Sequence, residues 1–365
     1  MSTPLTVLIT GVGGGGHGEQ ILKALRLAKT PLRIVGGDMS PFAAGLQRVD
    51  KAYILPPASD PKYIDVILAV CMAEGVRVLF HGSEPELKVF SRERDRLRAA
   101  GLFLPINPPD VIDVCMDKVK TAEFLSAHGF AVPAFRKVRT PADAVSFSHL
   151  PAILKPSVGG GGSAHVYLVQ EAGEVEVIAR QLLTVYDEFI IQAYVGTPDD
   201  EYTVGVLSDM DGNLIQSIAV RRYILSALSN RIKVRNRSGN AKLGPVLAVS
   251  SGVSQGVIGR FPEVTGPCER IARALGARGP LNIQCRFADG QVQVMEINPR
   301  FSGTTSLRAM VGFNEPDVLI RKHVLGEPVE PRFAYREGTI MRGLEETFIQ
   351  DPHFPTAADL LAGGA

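Results

Sequence analysis

Four residues in the last third of the chain could do metal and phosphate chemistry together: Gln284, Glu296, Asn298 and Arg300. They lie in Leu281-Asn-Ile-Gln-Cys-Arg-Phe287 and Val292-Gln-Val-Met-Glu-Ile-Asn-Pro-Arg-Phe-Ser302, whose alternation on both sides of a turn signal predicts two strands. Asn282, Gln284 and Arg286 then share one face of the first strand. Glu296, Asn298 and Arg300 fall at i, i+2 and i+4, so an extended backbone aims them the same way. A two-residue Asp-Gly loop would set Gln284 opposite Met295, on the wrong face. A three-residue loop, 288–290, with Gly290 in the left-handed region, pairs Phe287 with Gln291 and brings Gln284 to the Glu296 side. One carboxylate, two amides and a guanidinium on one face suit magnesium held against phosphate, because magnesium takes hard oxygen ligands and arginine clamps a phosphoryl group. An edge hairpin with a solvated polar face is the competing reading. Pro299, which ends the strand, fits both.

The elements needed to position such a site are legible at a coarse level. The chain has 365 residues, enough for two or three globular units. Its net charge is +1 with 21% charged residues, which implies no bulk attraction to nucleic acid. No apolar run is long enough to span a bilayer, and Leu5-Thr-Val-Leu-Ile-Thr10 reads as a first strand with no signal peptide before it. Cys71, Cys115, Cys268 and Cys285 are scattered, as expected of reduced thiols in a cytoplasmic protein, and the seven histidines show no metal-ligand spacing.

Strand 5–10 leads into Gly11-Val-Gly-Gly-Gly-Gly-His-Gly18, a helix near 18–28, a second strand at 32–36 and then Asp38. Formally this is a dinucleotide fingerprint with an acid after the second strand, so a nicotinamide oxidoreductase is a rival reading. A helix (61–74), a strand (77–81), a loop carrying Glu84 and Glu86, and a charged helix (87–100) complete a parallel α/β unit. Leu104-Pro-Ile-Asn-Pro-Pro109 marks a joint. Asp117 is the expected N-cap of a helix over 118–128, and Lys118 in its first turn, where the macrodipole disfavours a cation, hints at an anionic partner.

Next comes strand, glycine loop, strand: Leu154-Lys-Pro-Ser-Val-Gly-Gly-Gly-Gly162, then 166–169. A P-loop would need a following helix, so that reading fails. Glycines between antiparallel strands can fold over a nucleotide, with Lys155 adding charge. The segment 188–195 is a strand of the kind that lines an adenine pocket. Between Gly212 and Pro262 there is no acidic residue, and Arg221, Arg222, Arg231, Lys233, Arg235, Arg237 and Lys242 crowd together. This reads as a surface loop facing anions. Helices over 262–275, 304–310 and 314–325 surround the polar hairpin.

Together these stretches resemble the ATP-grasp superfamily, and within it the large-subunit halves of carbamoyl phosphate synthetase. The specific parts are Met116-Asp-Lys-Val-Lys-Thr121, the Leu154–Gly162 stretch, Glu201-Tyr-Thr-Val204, and Gln284 with Met295-Glu-Ile-Asn-Pro-Arg-Phe-Ser302. The resemblance implies an α+β ATP-grasp fold in four parts. These are a Rossmann-like N-terminal domain (1–106), a small ATP-binding lobe (107–190), a large lobe with the magnesium site (191–340) and a C-terminal tail (341–365). It implies that Lys118 and Lys155 contact ATP phosphates, that Gly160, Gly161 and Gly162 close over them, that Gln192, Ala193, Tyr194 and Val195 line the adenine, and that Glu201 reaches the ribose. Gln284, Glu296 and Asn298 would hold two magnesium ions, with manganese able to substitute, and Arg300 would act at the transferred phosphate.

The implied reaction is carboxylate–amine ligation through an acyl phosphate, with ADP and phosphate released. Arg221, Arg222, Lys233 and Glu84 are the acceptor-side candidates. The chain holds one synthetase-like half and no glutaminase or biotin-carrier segment, so a stand-alone ligase is expected. Phosphorylation of bicarbonate or carbamate, a nicotinamide oxidoreductase and a non-catalytic ATP-binding module are the alternatives. Expected partners are a small carboxylate and an amine, in a monomer or homodimer, with neither nucleic acid nor membrane.

Overall fold

The computed structural model describes residues 4–159, 164–346 and 353–362. The expected phosphate-covering glycines Gly160, Gly161 and Gly162 lie outside these residues.

The first apolar runs alternate with amphipathic helices and build a parallel sheet. Its strands are β1 (Leu5–Thr10), β2 (Leu32–Asp38), β3 (Lys51–Ile54) and β4 (Val78–Phe80), in the order β3-β2-β1-β4. Helices His17–Leu25, Tyr63–Glu74 and Glu84–Arg92 cover it. The expected charged helix starts three residues early: Ser83 is the N-cap, its hydroxyl accepting from the Glu86 backbone N–H, and Pro85 sits in the first turn. Glu84 and Glu86 therefore belong to a helix and not to a loop. That helix ends at Arg92, and a separate short one runs from Arg94 to Ala99.

A second, antiparallel sheet combines β5 (Phe135–Val138), β6 (Ala152–Pro156), β7 (Tyr167–Val169) and β8 (Phe189–Ala193), in the order β5-β8-β6-β7. Leu154, Phe189 and Ile191 of its strands pack with Val175, Ala179 and Leu182 of helix Ala172–Leu182 into a core of their own. Helix Lys118–Ala127 joins this lobe through Val119, Ala122 and Ile190.

The largest sheet has six antiparallel strands. These are β9 (Glu201–Ser208), β10 (Leu214–Arg222), β13 (Gly256–Gly259), β14 (Pro280–Ala288), β15 (Gln291–Asn298) and β16 (Gly338–Ile340), in the order β15-β14-β9-β10-β13-β16. Between β10 and β13 the chain makes a two-stranded ribbon, β11 (Asn230–Arg235) and β12 (Val246–Ser250). The basic segment expected as a loop is thus an ordered hairpin. It docks on the smaller lobe where Gln170 bonds the backbone of Arg235 and Arg237, and where Arg237 pairs with Glu171 and Glu174.

One face of the parallel sheet (Val7, Ile9, Ile34, Phe80) shares a continuous core with Ile218, Val220, Phe301, Leu307 and Phe313 of the large lobe. The parallel unit and the six-stranded sheet are thus packed as one body. No helix among the described residues is long and apolar enough to cross a membrane.

Candidate functional site

The polar hairpin β14–β15 turns differently from the expected three-residue loop. Ala288 pairs with Gln291, leaving Asp289 and Gly290 as a two-residue loop. Both have positive φ, 50° and 75°, as a type I′ turn requires. Such a loop in a regular ladder would place Glu296 in the core. The register instead shifts between Gln284 and Cys285, so that Gln284 faces Glu296 while Cys285 faces Val294. Met295 is left as a one-residue bulge. The bulge switches parity: Val292, Val294 and Ile297 are buried against Ile283 and Cys285, while Gln284, Glu296 and Asn298 share the other face.

The bulge also frees a carbonyl. Lys155, on β6 of the smaller lobe, donates from Nζ to Met295 O at 3.0 Å. Lys155 is buried, and burial first, then the neighbouring Lys118 charge, lower its pKa to about 8 against the pull of Glu296. Lys118 Nζ lies 4.0 Å from Glu296 Oε1 and donates to the Gly159 carbonyl at 3.3 Å. Its position is fixed by the helix N-cap, Asp117, whose Oδ1 accepts from the backbone N–H groups of Val119 and Lys120 and from the Ser157 hydroxyl. Two lysines from the small lobe and one carboxylate from the large lobe therefore meet at the bulge.

Arg300 follows the end of β15 and turns back. It donates to Asn298 Oδ1 at 2.9 Å and to Glu84 Oε1 at 2.6 Å. Burial alone would raise the Glu84 pKa, but the Arg300 charge and hydrogen bond carry it below the usual carboxylate value. Glu84, a candidate for substrate contact, is thus the counter-ion of Arg300.

The nucleotide-side candidates divide. Gln192 and Ala193 lie on β8, with Tyr194 and Val195 following it. The Tyr194 hydroxyl exchanges hydrogen bonds with the backbone of Ala248, and Val195 O accepts from Arg286. Glu201, expected at a ribose, is instead clamped between Arg222 at 3.0 Å and Arg286 at 3.1 Å, its side chain 2% exposed. Arg286 also stacks on the Tyr194 ring, 4.3 Å from its centroid. This arginine–glutamate–arginine cluster spends the Glu201 carboxylate on the sheet itself. Arg222, expected at the acceptor, is buried in the same cluster and donates also to Ser250, Ser251 O and Val253 O. Arg221 is exposed and bonds the Asp199 carbonyl, and Lys233 is exposed on the outer ribbon.

Several residues at the site escaped the sequence reading. His17 opens the helix after the β1 turn, His81 directly follows β4, and His17 Nε2 lies 3.1 Å from His81 Nδ1. Burial first, then the charge of Arg300, depress both, His81 to about 3. Beneath the hairpin, Asn282 Oδ1 accepts from Arg308 at 2.7 Å and from Thr203 at 2.9 Å, and Arg308 is paired with Glu315 at 3.1 Å with neither side chain exposed. The His17 signal was its place directly after a glycine run. Asn282 itself was legible on the Gln284 face, but its partners Thr203 and Arg308 left no local signal, because they lie 79 and 26 residues away in sequence. Asp38, the acid of the fingerprint, accepts from the Gly13 N–H at 2.9 Å and the Ser40 N–H at 3.0 Å. Its carboxylate holds the glycine turn in place, which removes the support for a nicotinamide site.

Residues 7–104 match the family model described as "PylC-like, N-terminal domain", and residues 248–347 match "ATP-grasp in the biosynthetic pathway with Ter operon". These matches support a protein of the ATP-grasp kind. Among its curated relatives, the carbamoyl phosphate synthase large chain of Gemmatimonas aurantiaca is 28% identical over 264 residues, covering 70% of this chain and 22% of that protein. Its Halobacterium salinarum counterpart is 26% identical over 316 residues, covering 80% and 28%. The chain thus spans less than a third of the length of these relatives. Its fold is shared with the ADP complex of N5-carboxyaminoimidazole synthetase from Staphylococcus aureus (TM-score 0.62, 14% identity, covering 93% of this chain and 81% of that one). It is shared also with an L-amino acid ligase from Bacillus licheniformis (TM-score 0.60, 18% identity, covering 91% and 78%).

Proposed function

We propose that this ATP-grasp chain is an ATP-dependent ligase that activates a carboxylate as an acyl phosphate and joins it to an amine. The observation that carries the reading is the meeting of Lys118, Lys155, Glu296, Asn298 and Arg300 at the bulged hairpin, with Gln284 across the ladder. Relatives named as carbamoyl phosphate synthases and fold neighbours named as a ligase and a synthetase support it.

The donor set fits magnesium. Glu296, Asn298 and Gln284 offer hard oxygens on one face, and the Glu296 side chain is 29% exposed, open to an ion and a triphosphate. These three would hold the metal, in the two-ion arrangement common to phosphoryl transfer. When bound, magnesium supplies charge neutralisation at the β- and γ-phosphates. Lys118 and Lys155 would hold the phosphates. Arg300, oriented by Asn298 and Glu84, would face the phosphoryl group in transit. An acceptor carboxylate oxygen attacks the γ-phosphorus, the bond to ADP breaks, and an amine then displaces phosphate from the acyl phosphate.

Phosphorylation of bicarbonate or carbamate is the second reading, favoured by the carbamoyl phosphate synthase relatives. A screen of acids and amines for ADP release, with bicarbonate as one acid, separates the two. Glu296→Gln is expected to reduce turnover by at least a hundredfold. Undiminished activity in that variant would refute the metal assignment.

A further inference from the structure

Arg342, just beyond β16, has no part in the reading above. Its guanidinium is part-buried and, among the described residues, donates only to neutral groups: Gln20 Oε1 at 3.0 Å, the Gly303 carbonyl and, more weakly, the Ser306 hydroxyl at 3.5 Å. The neighbouring Arg222 does not lend it a carboxylate, because Glu201 is already shared between Arg222 and Arg286. Burial first, then the charge of Arg222, lower the Arg342 pKa, with Glu19 opposing. Glu19 itself is drawn to Lys23 at 2.8 Å. Among the described residues no carboxylate is hydrogen-bonded to this part-buried guanidinium, which leaves it able to take one.

Arg342 is anchored to a second positive feature. Gln20 lies in the first turn of helix His17–Leu25, whose N-cap is Gly16 and carries no side-chain cap. Before it, Gly14 and Gly15 both have φ of 72°, and nothing lies within 4 Å of where a Cβ would stand. Unpaired N–H groups and the helix dipole at such an end favour a negative charge.

A third, independent observation comes from buried polar atoms without partners. His81 is 2% exposed and meets His17, the first residue of that helix, edge-on at 5.1 Å between ring centroids. Its Nε2 has no hydrogen-bond partner, and neither does the buried Nε of Arg300. Buried polar atoms are almost always satisfied, so orphaned ones beside an uncapped helix end mark where ligand atoms belong.

We propose that the acceptor acid docks an anionic group, its carboxylate, between Arg342 and the N-terminal turn of helix His17–Leu25, with His81 completing the contact. The proposal rests on the ligase reading and gives the glycine turn after β1 a ligand: a small carboxylic acid rather than a dinucleotide. Asp38 does not compete for this place, because it is bound to the backbone of Gly13 and Ser40.

The test is a thermal-shift titration of protein saturated with Mg-ADP, using acetate and malonate against chloride at matched ionic strength. Wild type is expected to be stabilised by the carboxylates in a saturable way. Arg342→Met is expected to raise the half-saturating concentration at least tenfold while Mg-ADP affinity stays within twofold. Gly15→Asp, on an open turn where aspartate tolerates positive φ, places a competing carboxylate at the helix end and is expected to do the same. Carboxylate stabilisation undiminished in both variants, or absent from wild type that binds Mg-ADP, overturns the proposal. Failure of wild type to bind Mg-ADP would overturn the nucleotide reading instead.

Discussion

Lys155 is buried with its ammonium on a neutral carbonyl, and its pKa of about 8 has a consequence for stability. A lysine whose folded pKa is depressed below its unfolded value of 10.5 costs the fold stability wherever it is charged in both states, that is, below about pH 8. Between about 8 and 10.5 the unfolded chain binds the proton and the folded one does not, so this group makes stability rise with pH. Relative to Lys155→Met, the unfolding free energy of nucleotide-free wild type, read from urea titrations, should increase across that window by an amount on the order of 3 kcal/mol. A parallel pair of free-energy curves would count against a buried, strained charge. At this scale, residue types and spacing marked Gln284, Glu296, Asn298 and Arg300 as candidates, although alternation alone aligns only Glu296 with Asn298; Gln284 joins them through the bulge, and Arg300 lies beyond β15. What they could not reveal is which partner a charge takes. Glu201 lies 21 residues from Arg222 and 85 from Arg286, and only the folded sheet brings the three together.

At the scale of elements, the β14–β15 hairpin depends on one extra residue. Alternation in Gln291–Asn298 breaks parity, with apolar residues at 292, 294 and then 297, and this slip was the available sign of a bulge. Reading the strand as regular forced the parity change into the turn, although Asp-Gly is the strongest two-residue hairpin signal. Deleting Met295 should leave a regular ladder with Val292, Val294 and Ile297 still inward and Glu296 still outward. The variant is therefore expected to fold with a melting temperature close to wild type. It should nonetheless lose Mg-ADP affinity by at least tenfold, since Lys155 loses its acceptor and the Glu296 carboxylate is re-aimed. Calorimetric titration checks this, and wild-type affinity in the deletion would show that the bulge is incidental.

For the whole molecule, the strand-helix alternation of the first hundred residues made the parallel unit legible, and the glycine-loop hairpin and the polar hairpin made the antiparallel lobes so. The joining of the units was not legible, because helix His17–Leu25 meets helix Thr305–Met310 across nearly three hundred residues of sequence. The parallel unit shares its core with the six-stranded sheet, whereas the smaller lobe has a separate core. Scanning calorimetry should accordingly resolve two transitions in nucleotide-free protein, the smaller from the lobe around Leu154 and Phe189, merging into one when Mg-ADP bridges the lobes. A single nucleotide-independent peak would mean that the two cores melt together.

The carbonyl exposed at Met295 has a further bearing on how a triphosphate is captured. A free lysine side chain surrenders about 2 kcal/mol of rotamer entropy when a ligand pins it. Lys155 has already surrendered that freedom on folding, resting on an oxygen that asks for no charge in return. An arriving phosphate then needs only to outbid a single neutral acceptor, so more of its attraction is kept as affinity and less is lost in taming the receiver.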